Sequence, residues 1–402
     1  MVADELAALA IAGLDDPVVC DPACGGGAFL LAAARCGARR LVGIDIDPLA
    51  VAVTEAGLWL AGLTQATVLC GDALTVDWPV APDVVIGNPP FVAAVDRRGT
   101  TAYIDLAARF LLAAGQRARR RVVLLQPAST VSASSAREVR AELAPLLREV
   151  RVVPDGVFDA SVQAVAVVLD RNGAPVVEGD RWAPLLARAR GVPSVELATH
   201  GTLGDVCDVV AGFRDEYYGL IPHVRERDGA PLITSGLIDP GRCLWGERTA
   251  RFARRRWEAP AVDVEAAPSW VRRLLVPKVL VATQTPVVEA VADTGGAWVP
   301  CTPVISVLPR RLDLGHVLAV LLAPPITAWA LHEASGAALS SGALKLSASQ
   351  LRRVPLPPAG DAWDEAASAA AAGDIIAAGR LLTLAYGADV FDWWQARLRS
   401  TP

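Results

Sequence analysis

Residues 18–28, which read VVCDPACGGGA, decide the fold. A short apolar run comes first, three adjacent glycines follow, and an Ala- and Leu-rich segment begins at Ala28. A strand, a glycine loop and a helix in this order let the backbone come close to a ligand. The glycines lack the G-x-G-x-x-G spacing and Asp21 would repel a phosphate, so a dinucleotide pyrophosphate fits poorly. Asp21 could instead anchor a positively charged amino acid moiety, and a plain tight turn is the alternative.

Three further apolar runs end in polar side chains: residues 41–44 before Asp45, residues 67–70 before Gly71 and Asp72, and residues 84–86 before Gly87 and Asn88. Open α/β sheets bind ligands at the carboxyl ends of their strands, so these groups should share one site. Asp45 could accept both ribose hydroxyls of a nucleoside, and Asp72 could accept from an adenine amino group. The alternation of short apolar runs with helical segments predicts a parallel, doubly wound sheet up to about residue 170.

The loop Asn88-Pro89-Pro90-Phe91 follows the fourth predicted strand. Each proline fixes φ and lacks an N–H, so the loop is stiff. Rigid acceptors beside an amide and an aromatic ring suit a flat amine, such as the exocyclic amino group of a nucleobase. The alternative is a proline-rich turn in which Asn88 caps a neighbouring backbone group.

Length and composition indicate a globular protein. The chain has 402 residues, of which 53% are hydrophobic and 20% charged, enough for two or three domains with a sizeable core. The most apolar candidate span, residues 316–331, is short and broken by Pro324 and Pro325, so no membrane span is predicted. Asp4 and Glu5 argue against a signal peptide.

The seven cysteines are scattered, and an odd number does not make a disulfide framework. Cys20 and Cys24 have neither a nearby histidine nor a second cysteine pair, so we expect no metal. A cytoplasmic protein is therefore expected, without a membrane partner.

The net charge of −5 at first argues against nucleic acid, but positive charge is concentrated locally. Residues 251–257 read RFARRRW, with Arg248 before them and Arg272 and Arg273 after them. We interpret this stretch as a phosphate-facing strip, with a merely exposed helix as the alternative.

Four motifs resemble motifs I to IV of the S-adenosylmethionine-dependent N6-adenine DNA methyltransferases, in the order of the gamma group. They read DPACGGGAFL at 21–30, GIDIDP at 43–48, GDA at 71–73 and NPPF at 88–91. The resemblance implies an α/β fold, a Rossmann-like class I methyltransferase domain with a mixed seven-stranded sheet. It also implies S-adenosyl-L-methionine as cofactor and a flipped-out adenine of double-stranded DNA as substrate. The setting would be that of type II/IIG or type I-like modification enzymes, with subunits of a restriction or phage-defence system as possible partners.

The resemblance also assigns residues. The implied cofactor residues are Asp21, Ala23, Gly25, Gly27, Phe29, Asp45, Ile46, Asp72 and Ala73. Asn88 and the Pro89 carbonyl would accept from the target amino group, beside Pro90, and Phe91 would stack on the base. Residues 156–158, followed by an apolar run at 164–169, resemble the late motif whose aromatic side chain contacts the flipped base. Phe158 is therefore a candidate partner of Phe91, with core packing as the alternative.

The family usually has a helix start with a Thr-Pro-Pro segment ahead of motif I. Here 20 residues precede Asp21, and residues 1–6 resemble the middle of that helix. We expect weaker S-adenosylmethionine affinity than in a chain that carries the additional turn.

The second half differs in pattern. We predict a catalytic domain at 1–195 and a C-terminal α+β target-recognition domain at 196–402, with short strands, a long helix from about Asp313 and a final helical pair. Its resemblance to known target-recognition domains is looser. Candidate DNA contacts are Lys278, Lys345, Arg254 and Arg255. A solvated surface is the alternative for each lysine, and an exposed helix is the alternative for the two arginines.

Two other functions stay open at the level of sequence. The Asn-Pro-Pro-aromatic loop also serves methylation of RNA amines and of protein glutamine. A non-catalytic subunit that binds S-adenosylmethionine or DNA and needs a partner for activity is the third possibility.

Overall fold

The computed structural model describes residues 2–91, 106–154, 163–338 and 342–399. The chain forms two compact units, and the first ends at Gly191. A short segment that begins at Ser335 also belongs to the first unit. The second unit begins at Val192, is interrupted by that segment, and resumes at Gly342.

The first unit contains a mixed seven-stranded sheet, as predicted. Its strands are β1 (Val18–Asp21), β2 (Arg40–Asp45), β3 (Thr67–Cys70), β4 (Val84–Gly87), β5 (Arg121–Pro127), β6 (Leu147–Val152) and β7 (Ala164–Asp170). The spatial order is β3-β2-β1-β4-β5-β7-β6. The first five strands in this order are parallel, whereas β7 is antiparallel to both β5 and β6. The strand order reverses between β1 and β4, which is where open α/β sheets bind ligands.

Helices cover this sheet on both faces. They are α1 (Val2–Ile11), α2 (Ala28–Arg35), α3 (Pro48–Leu60), α4 (Leu106–Arg117), α5 (Arg137–Leu143) and α6 (Ala183–Ala189). Strand β4 shows why: Val84 and Ile86 belong to the core beneath α1 and α2, whereas Val85 belongs to the core beneath α4 and α5. A strand buried on both faces reads as a continuous apolar run, which is the signal that the sequence carries.

The second unit is built from short strands and helices. The strands are β8 (Cys207–Ala211), β9 (Val224–Glu226), β10 (Ala230–Ile233), β11 (Ile238–Asp239), β12 (Arg242–Cys243), β13 (Ala250–Phe252), β14 (Arg255–Trp257), β15 (Pro260–Val262), β16 (Lys278–Val281), β17 (Ala290–Asp293), β18 (Val299–Pro300) and β19 (Ile305–Pro309). Two four-stranded sheets have the orders β17-β16-β19-β8 and β18-β10-β15-β9. Two separate hairpins pair β11 with β12 and β13 with β14.

The helices of this unit are α7 (Leu203–Val206), α8 (Arg214–Leu220), α9 (Ser269–Arg273), α10 (Leu314–Leu322), α11 (Pro324–Ala334), α12 (Ala348–Arg352), α13 (Asp361–Ala371), α14 (Ile375–Tyr386) and α15 (Phe391–Arg399). Asp313 caps α10 by accepting from the His316 N–H at 2.9 Å. The prediction of one long helix from Asp313 is wrong, because α10 and α11 are separate helices that meet at an angle of 62°. Pro324 and Pro325 lack N–H donors, so the α10 hydrogen-bond ladder ends before them.

No single helix among the described residues is long and apolar enough to cross a membrane. The bent pair α10–α11 meets that criterion by length and composition taken together. Most of its side chains are buried inside the second unit.

Candidate cofactor and substrate site

A cavity of about 440 Å³ opens at the carboxyl ends of β1 to β4. It is lined by Pro22, Ala23, Asp45, Ile46, Gly71, Asp72, Ala73, Leu74, Asn88, Pro90, Leu106, Arg109 and Phe110. The four strand ends that carry polar groups in the sequence therefore meet at one place. The first turns of α4 supply the remaining wall.

The glycine loop after β1 is held against β2 and α3. Gly25 and Gly27 have φ values of 53° and 79°, a region that favours glycine. The Gly25 N–H donates to Asp45 Oδ2 at 2.8 Å, and Thr54 Oγ1 donates to the Gly25 carbonyl at 2.7 Å. A Cβ on Gly27 would lie 3.1 Å from the Thr54 side chain, so the loop and α3 are closely packed. The loop therefore has a defined shape beside the cavity.

Asp45 links this loop to the cavity. Its Oδ2 accepts from Gly25, and its Oδ1 accepts from the Asp47 N–H at 3.0 Å. Each carboxylate oxygen has a second lone pair, so the group can accept further hydrogen bonds on its cavity side. Asp45 can therefore accept from a pair of ribose hydroxyls.

Asp72 lines the cavity after β3. Its Oδ1 accepts from the Leu74 N–H at 2.9 Å, which orients the carboxylate. Ile46, Leu74 and Phe110 supply apolar surface in the same cavity. An acceptor beside apolar walls suits a planar heterocycle that carries an amino group.

Asp21 lies beneath the cavity rather than in its lining. The side chain is 1% exposed, and its Oδ1 accepts from the Ala23 N–H at 3.0 Å. Burial raises the pKa of Asp21 to about 7, the Ala23 hydrogen bond opposes this shift, and the nearby Asp45 charge adds to it. A cationic group that reached Asp21 would favour the ionised form.

Gly87 brings β4 against Asp21. A Cβ at this position would lie 2.4 Å from Asp21 Oδ1, so a larger side chain requires one of the two strand ends to move. Gly87 directly precedes Asn88. The residue before Asn88 therefore has no room for a side chain beside Asp21.

The Asn88 loop turns one amide toward the cavity. Asn88 is exposed and lines the cavity with Pro90, whereas Pro89 is buried. Within the described parts of the chain, the Asn88 side chain makes no hydrogen bond, so its carbonyl oxygen is available to a substrate amine. Phe91 is half-buried and packs against the core cluster beneath α1 and α2.

Seven of the predicted site residues line the cavity: Ala23, Asp45, Ile46, Asp72, Ala73, Asn88 and Pro90. Asp21, Gly25 and Gly27 are not among the lining residues, and the Gly25 N–H is hydrogen-bonded to the lining residue Asp45. Phe29 is only 8% exposed and packs into the core. Its predicted cofactor contact therefore has no geometric support here. Phe158 lies outside the described residues.

The sequence interpretation missed Pro22, Gly71, Leu74 and three residues of α4: Leu106, Arg109 and Phe110. The first three are sequence neighbours of predicted site residues, so their place in the cavity could have been predicted from the sequence. The α4 residues follow the Asn88 loop along the chain, on the helix that connects β4 to β5.

The candidate DNA contacts in the second unit have different environments. Lys345, Arg254 and Arg255 are exposed. The Lys278 side chain is fully buried, and its Nζ donates to Asp293 Oδ2 at 2.6 Å and to the Val276 carbonyl at 3.2 Å. The expected phosphate contact of Lys278 is therefore wrong, because its ammonium is enclosed and already neutralised. Residues 251–257 form the β13–β14 hairpin instead of an exposed helix.

The residues fit S-adenosylmethionine. Asp45, which can bind a ribose, and Asp72, which lies beside apolar walls, line one cavity of the size that small cofactors use. The glycine loop adjoins this cavity through the hydrogen bond from Gly25 to Asp45, and the buried Asp21 lies next to the same loop. Among the described residues, no group of three or more His, Cys, Asp or Glu side chains could hold a metal ion.

A family model described as "Ribosomal protein L11 methyltransferase (PrmA)" matches residues 6–89. The structure of the type IIL restriction-modification enzyme MmeI in complex with DNA matches with a TM-score of 0.62 and 12% identity. That match covers 98% of this chain and 72% of MmeI.

Two further matches have lower TM-scores. A modification subunit assigned to a type I restriction enzyme from Vibrio vulnificus YJ016 has a TM-score of 0.36 and 19% identity, over 43% of this chain and 44% of that one. A protein assigned as a class I S-adenosylmethionine-dependent methyltransferase from Listeria monocytogenes has a TM-score of 0.38 and 18% identity, over 44% of this chain and 60% of that one. This chain thus spans less than two thirds of either protein.

The match to MmeI extends over both units and shows the fold. It is a Rossmann-like class I methyltransferase domain followed by an additional C-terminal domain. The PrmA model covers β1 to β4 and all three cofactor-side loops. Together with the cavity geometry, it identifies S-adenosyl-L-methionine as the cofactor.

Proposed function

We propose that this S-adenosylmethionine-dependent methyltransferase methylates N6 of an adenine that is flipped out of duplex DNA, within a restriction–modification or phage-defence system. One observation carries the proposal. The exposed Asn88 amide stands, without a partner in the described chain, at the edge of the cavity that Asp45 and Asp72 line. An acceptor in that place can hold a substrate amine next to the cofactor.

The chemistry requires the amine to become a better nucleophile. The lone pair of an adenine amino nitrogen is delocalised into the ring. Hydrogen bonds from its two N–H groups to Asn88 Oδ1 and to the Pro89 carbonyl would pull the nitrogen toward tetrahedral geometry and localise the pair. Bound S-adenosylmethionine supplies an electrophilic sulfonium methyl group. Positioning and electrostatics then supply most of the rate, without a nucleophilic side chain.

The base has to leave the duplex to reach Asn88, at a cost of a few kcal/mol. Stacking on Phe91, and on Phe158 as its proposed partner, would offset part of that cost. Residues 88–91 contain no cysteine that could attack a base, which argues against methylation at cytosine C5.

The comparisons support DNA as the macromolecule. MmeI is a restriction-modification enzyme whose structure contains DNA, and its match includes the second unit of this chain. The match to the PrmA model ends at Pro89, so it concerns the cofactor half and carries no information on the second unit. No observation favours RNA or protein glutamine over DNA.

Transfer of a radiolabelled methyl group separates the functions. The full chain is incubated with labelled S-adenosylmethionine and, in parallel, with unmethylated duplex DNA of high sequence complexity, total RNA or a protein extract. We expect label in DNA only, and its digestion to nucleosides should place the label in N6-methyladenine. Label in RNA or protein but not in DNA would contradict the proposal. Calorimetry that shows S-adenosylmethionine binding without any transfer would indicate a subunit that needs a partner.

A further inference from the structure

The β13–β14 hairpin carries four exposed arginines: Arg251, Arg254, Arg255 and Arg256. None of them forms an ion pair in the part of the chain that the structure describes. Two other arginines of this unit are neutralised: Arg248 pairs with Asp239 at 2.8 Å, and Arg227 pairs with Glu258 at 2.9 Å. The hairpin is therefore a local excess of positive charge on a chain whose net charge is −5.

Two of these arginines face each other. Arg251 lies directly opposite Arg256 in the antiparallel register, and both are exposed. Like charges directly opposite each other in a sheet destabilise the pair. An anion that bound across both side chains would relieve this repulsion.

The other face of the hairpin anchors it. Phe252 and Trp257 are buried in one core cluster, and the Trp257 Nε1–H donates to the Phe252 carbonyl at 3.1 Å. The Phe252 ring packs against Tyr217 with 5.0 Å between centroids. The Arg255 guanidinium lies over the Trp257 ring, 4.6 Å from its centroid. The exposed arginines are therefore carried by a hairpin that is packed into the core of this unit.

The turn of the hairpin consists of Ala253 and Arg254, both with left-handed backbone. Ala253 and Arg254 have φ values of 49° and 61°, where glycine or asparagine is usual. The Tyr217 hydroxyl accepts from the Ala253 N–H at 3.0 Å and holds this turn. The Arg254 side chain is exposed at this tip.

We infer that the β13–β14 hairpin binds the phosphate backbone of duplex DNA, with Arg251 and Arg256 each contacting a phosphate. The inference rests on the proposed function. A two-stranded ribbon is narrow enough to enter a major groove, and phosphates on DNA are spaced so that neighbouring guanidinium groups can contact separate ones. Contacts of this kind are independent of base sequence, so any duplex can test them.

The test measures binding of the full chain to a fluorescently labelled, mixed-sequence duplex by anisotropy, at salt concentrations from 50 to 200 mM. The variant is Arg251→Ala/Arg256→Ala. The matched control is Arg242→Ala/Arg272→Ala, which removes the same charge from arginines that are paired with Glu247 and Glu265. Unfolding midpoints are recorded for all proteins.

The logarithm of the association constant falls linearly with the logarithm of the salt concentration. Loss of two phosphate contacts should make this slope shallower by about 1.8, and the affinity at low salt should fall by about tenfold or more. The control should keep the wild-type slope. Arg251→Lys/Arg256→Lys should also keep the slope, because lysine retains the point charge. The unfolding midpoint of the alanine variant should not fall, because the exchange removes a repulsive pair.

Equal losses in the hairpin variant and in the control would overturn the inference, even if the wild-type chain methylates duplex DNA. In that case the proposed function stands. A wild-type chain that neither binds nor methylates duplex DNA would overturn both.

Discussion

The buried carboxyl of Asp21 and the cavity-facing carboxylate of Asp45 have opposite surroundings. Asp45 accepts from two backbone N–H groups and faces the cavity, so it is placed to accept from hydroxyls. Asp21 is enclosed, and burial raises its pKa to about 7. A carboxyl with this pKa changes its charge near neutral pH. Its interaction with a cationic cofactor group should therefore depend on pH.

If Asp21 holds the ammonium group of S-adenosylmethionine, cofactor affinity should rise with pH. With a pKa of about 7, the carboxylate is the minor form below pH 7 and its share rises with pH. The ammonium group binds this ionised form. Affinity should increase by up to about tenfold per unit between pH 5.5 and 7, where the ammonium remains protonated. Calorimetric titration across this range measures the slope. Asp21→Asn should bind more weakly at pH 7 and lose the slope. Equal slopes in the two proteins would show that the Asp21 carboxylate does not bind the ammonium group of the cofactor.

Gly87→Ala should destabilise the first unit and misplace the Asn88 loop. Gly87 has a φ of 156°, which L side chains rarely adopt, and the added Cβ would lie 2.4 Å from Asp21 Oδ1. Backbone strain and the displacement of a strand end should together cost about 1–3 kcal/mol. Urea unfolding measures this cost, and cofactor titration measures the effect on the site.

Gly26→Ala is the matched control for Gly87→Ala. Its Cβ would meet only Val53 Cγ1, at 3.8 Å, which is an ordinary contact. We expect its free energy of unfolding to stay within about 0.5 kcal/mol of wild type. Equal free energies of unfolding for the two alanine variants would mean that β4 and Asp21 can move apart without cost, which would contradict the close packing of Gly87 on Asp21.

At the scale of elements, the sheet of β16 and β17 encloses an ion pair. Lys278 and Asp293 are directly opposite each other in the register. Asp293 also accepts from the Ala297 and Trp298 N–H groups, at 3.0 and 2.9 Å, and thereby orders the turn after β17. Burial lowers the pKa of Lys278, and its hydrogen bond to Asp293 opposes that shift. Lys278 is thus a structural residue.

Lys278→Met should destabilise the protein by about 3–5 kcal/mol, because it leaves the buried Asp293 charge without its partner. Lys278→Met/Asp293→Asn should cost less than the single change, since no uncompensated charge remains. Urea unfolding of the four proteins of this double-mutant cycle measures the coupling. Arg272→Ala, which breaks an exposed pair with Glu265, should change stability by less than about 1 kcal/mol. A mild effect of Lys278→Met would contradict the structural role.

Local signals made the first four strands and their ends predictable. Each of these strands is a short apolar run, and the residue that ends or follows it faces the cavity edge, as with Asp45 and Asn88. The burial of Lys278 was not predictable, because its partner Asp293 is brought opposite only by the pairing of β16 with β17. The break between α10 and α11 was signalled by Pro324 and Pro325, but the sequence interpretation did not apply that signal to the helix.

At the scale of the whole molecule, opposite charges are divided between different regions. The chain has a net charge of −5 and its cofactor cavity contains Asp45 and Asp72, whereas the β13–β14 hairpin carries four arginines. A net charge therefore does not exclude a polyanionic partner when positive charge is concentrated on one element. The match to MmeI covers both units, which agrees with a methyltransferase fold joined to a second domain.

The most direct test of the account is nucleoside mass spectrometry of duplex DNA after incubation with the full chain and S-adenosylmethionine. Amplified, unmodified genomic DNA serves as substrate, so that many candidate sites are present. We expect N6-methyladenine with wild type and with the control Asn172→Ala, which changes an exposed asparagine outside the cavity. Asn88→Ala should bind the cofactor normally but lose about 10²–10³ in rate, the usual cost of one transition-state hydrogen bond. N6-methyladenine formed at an unchanged rate by Asn88→Ala, or DNA that contains no N6-methyladenine after incubation with wild type, would contradict the account.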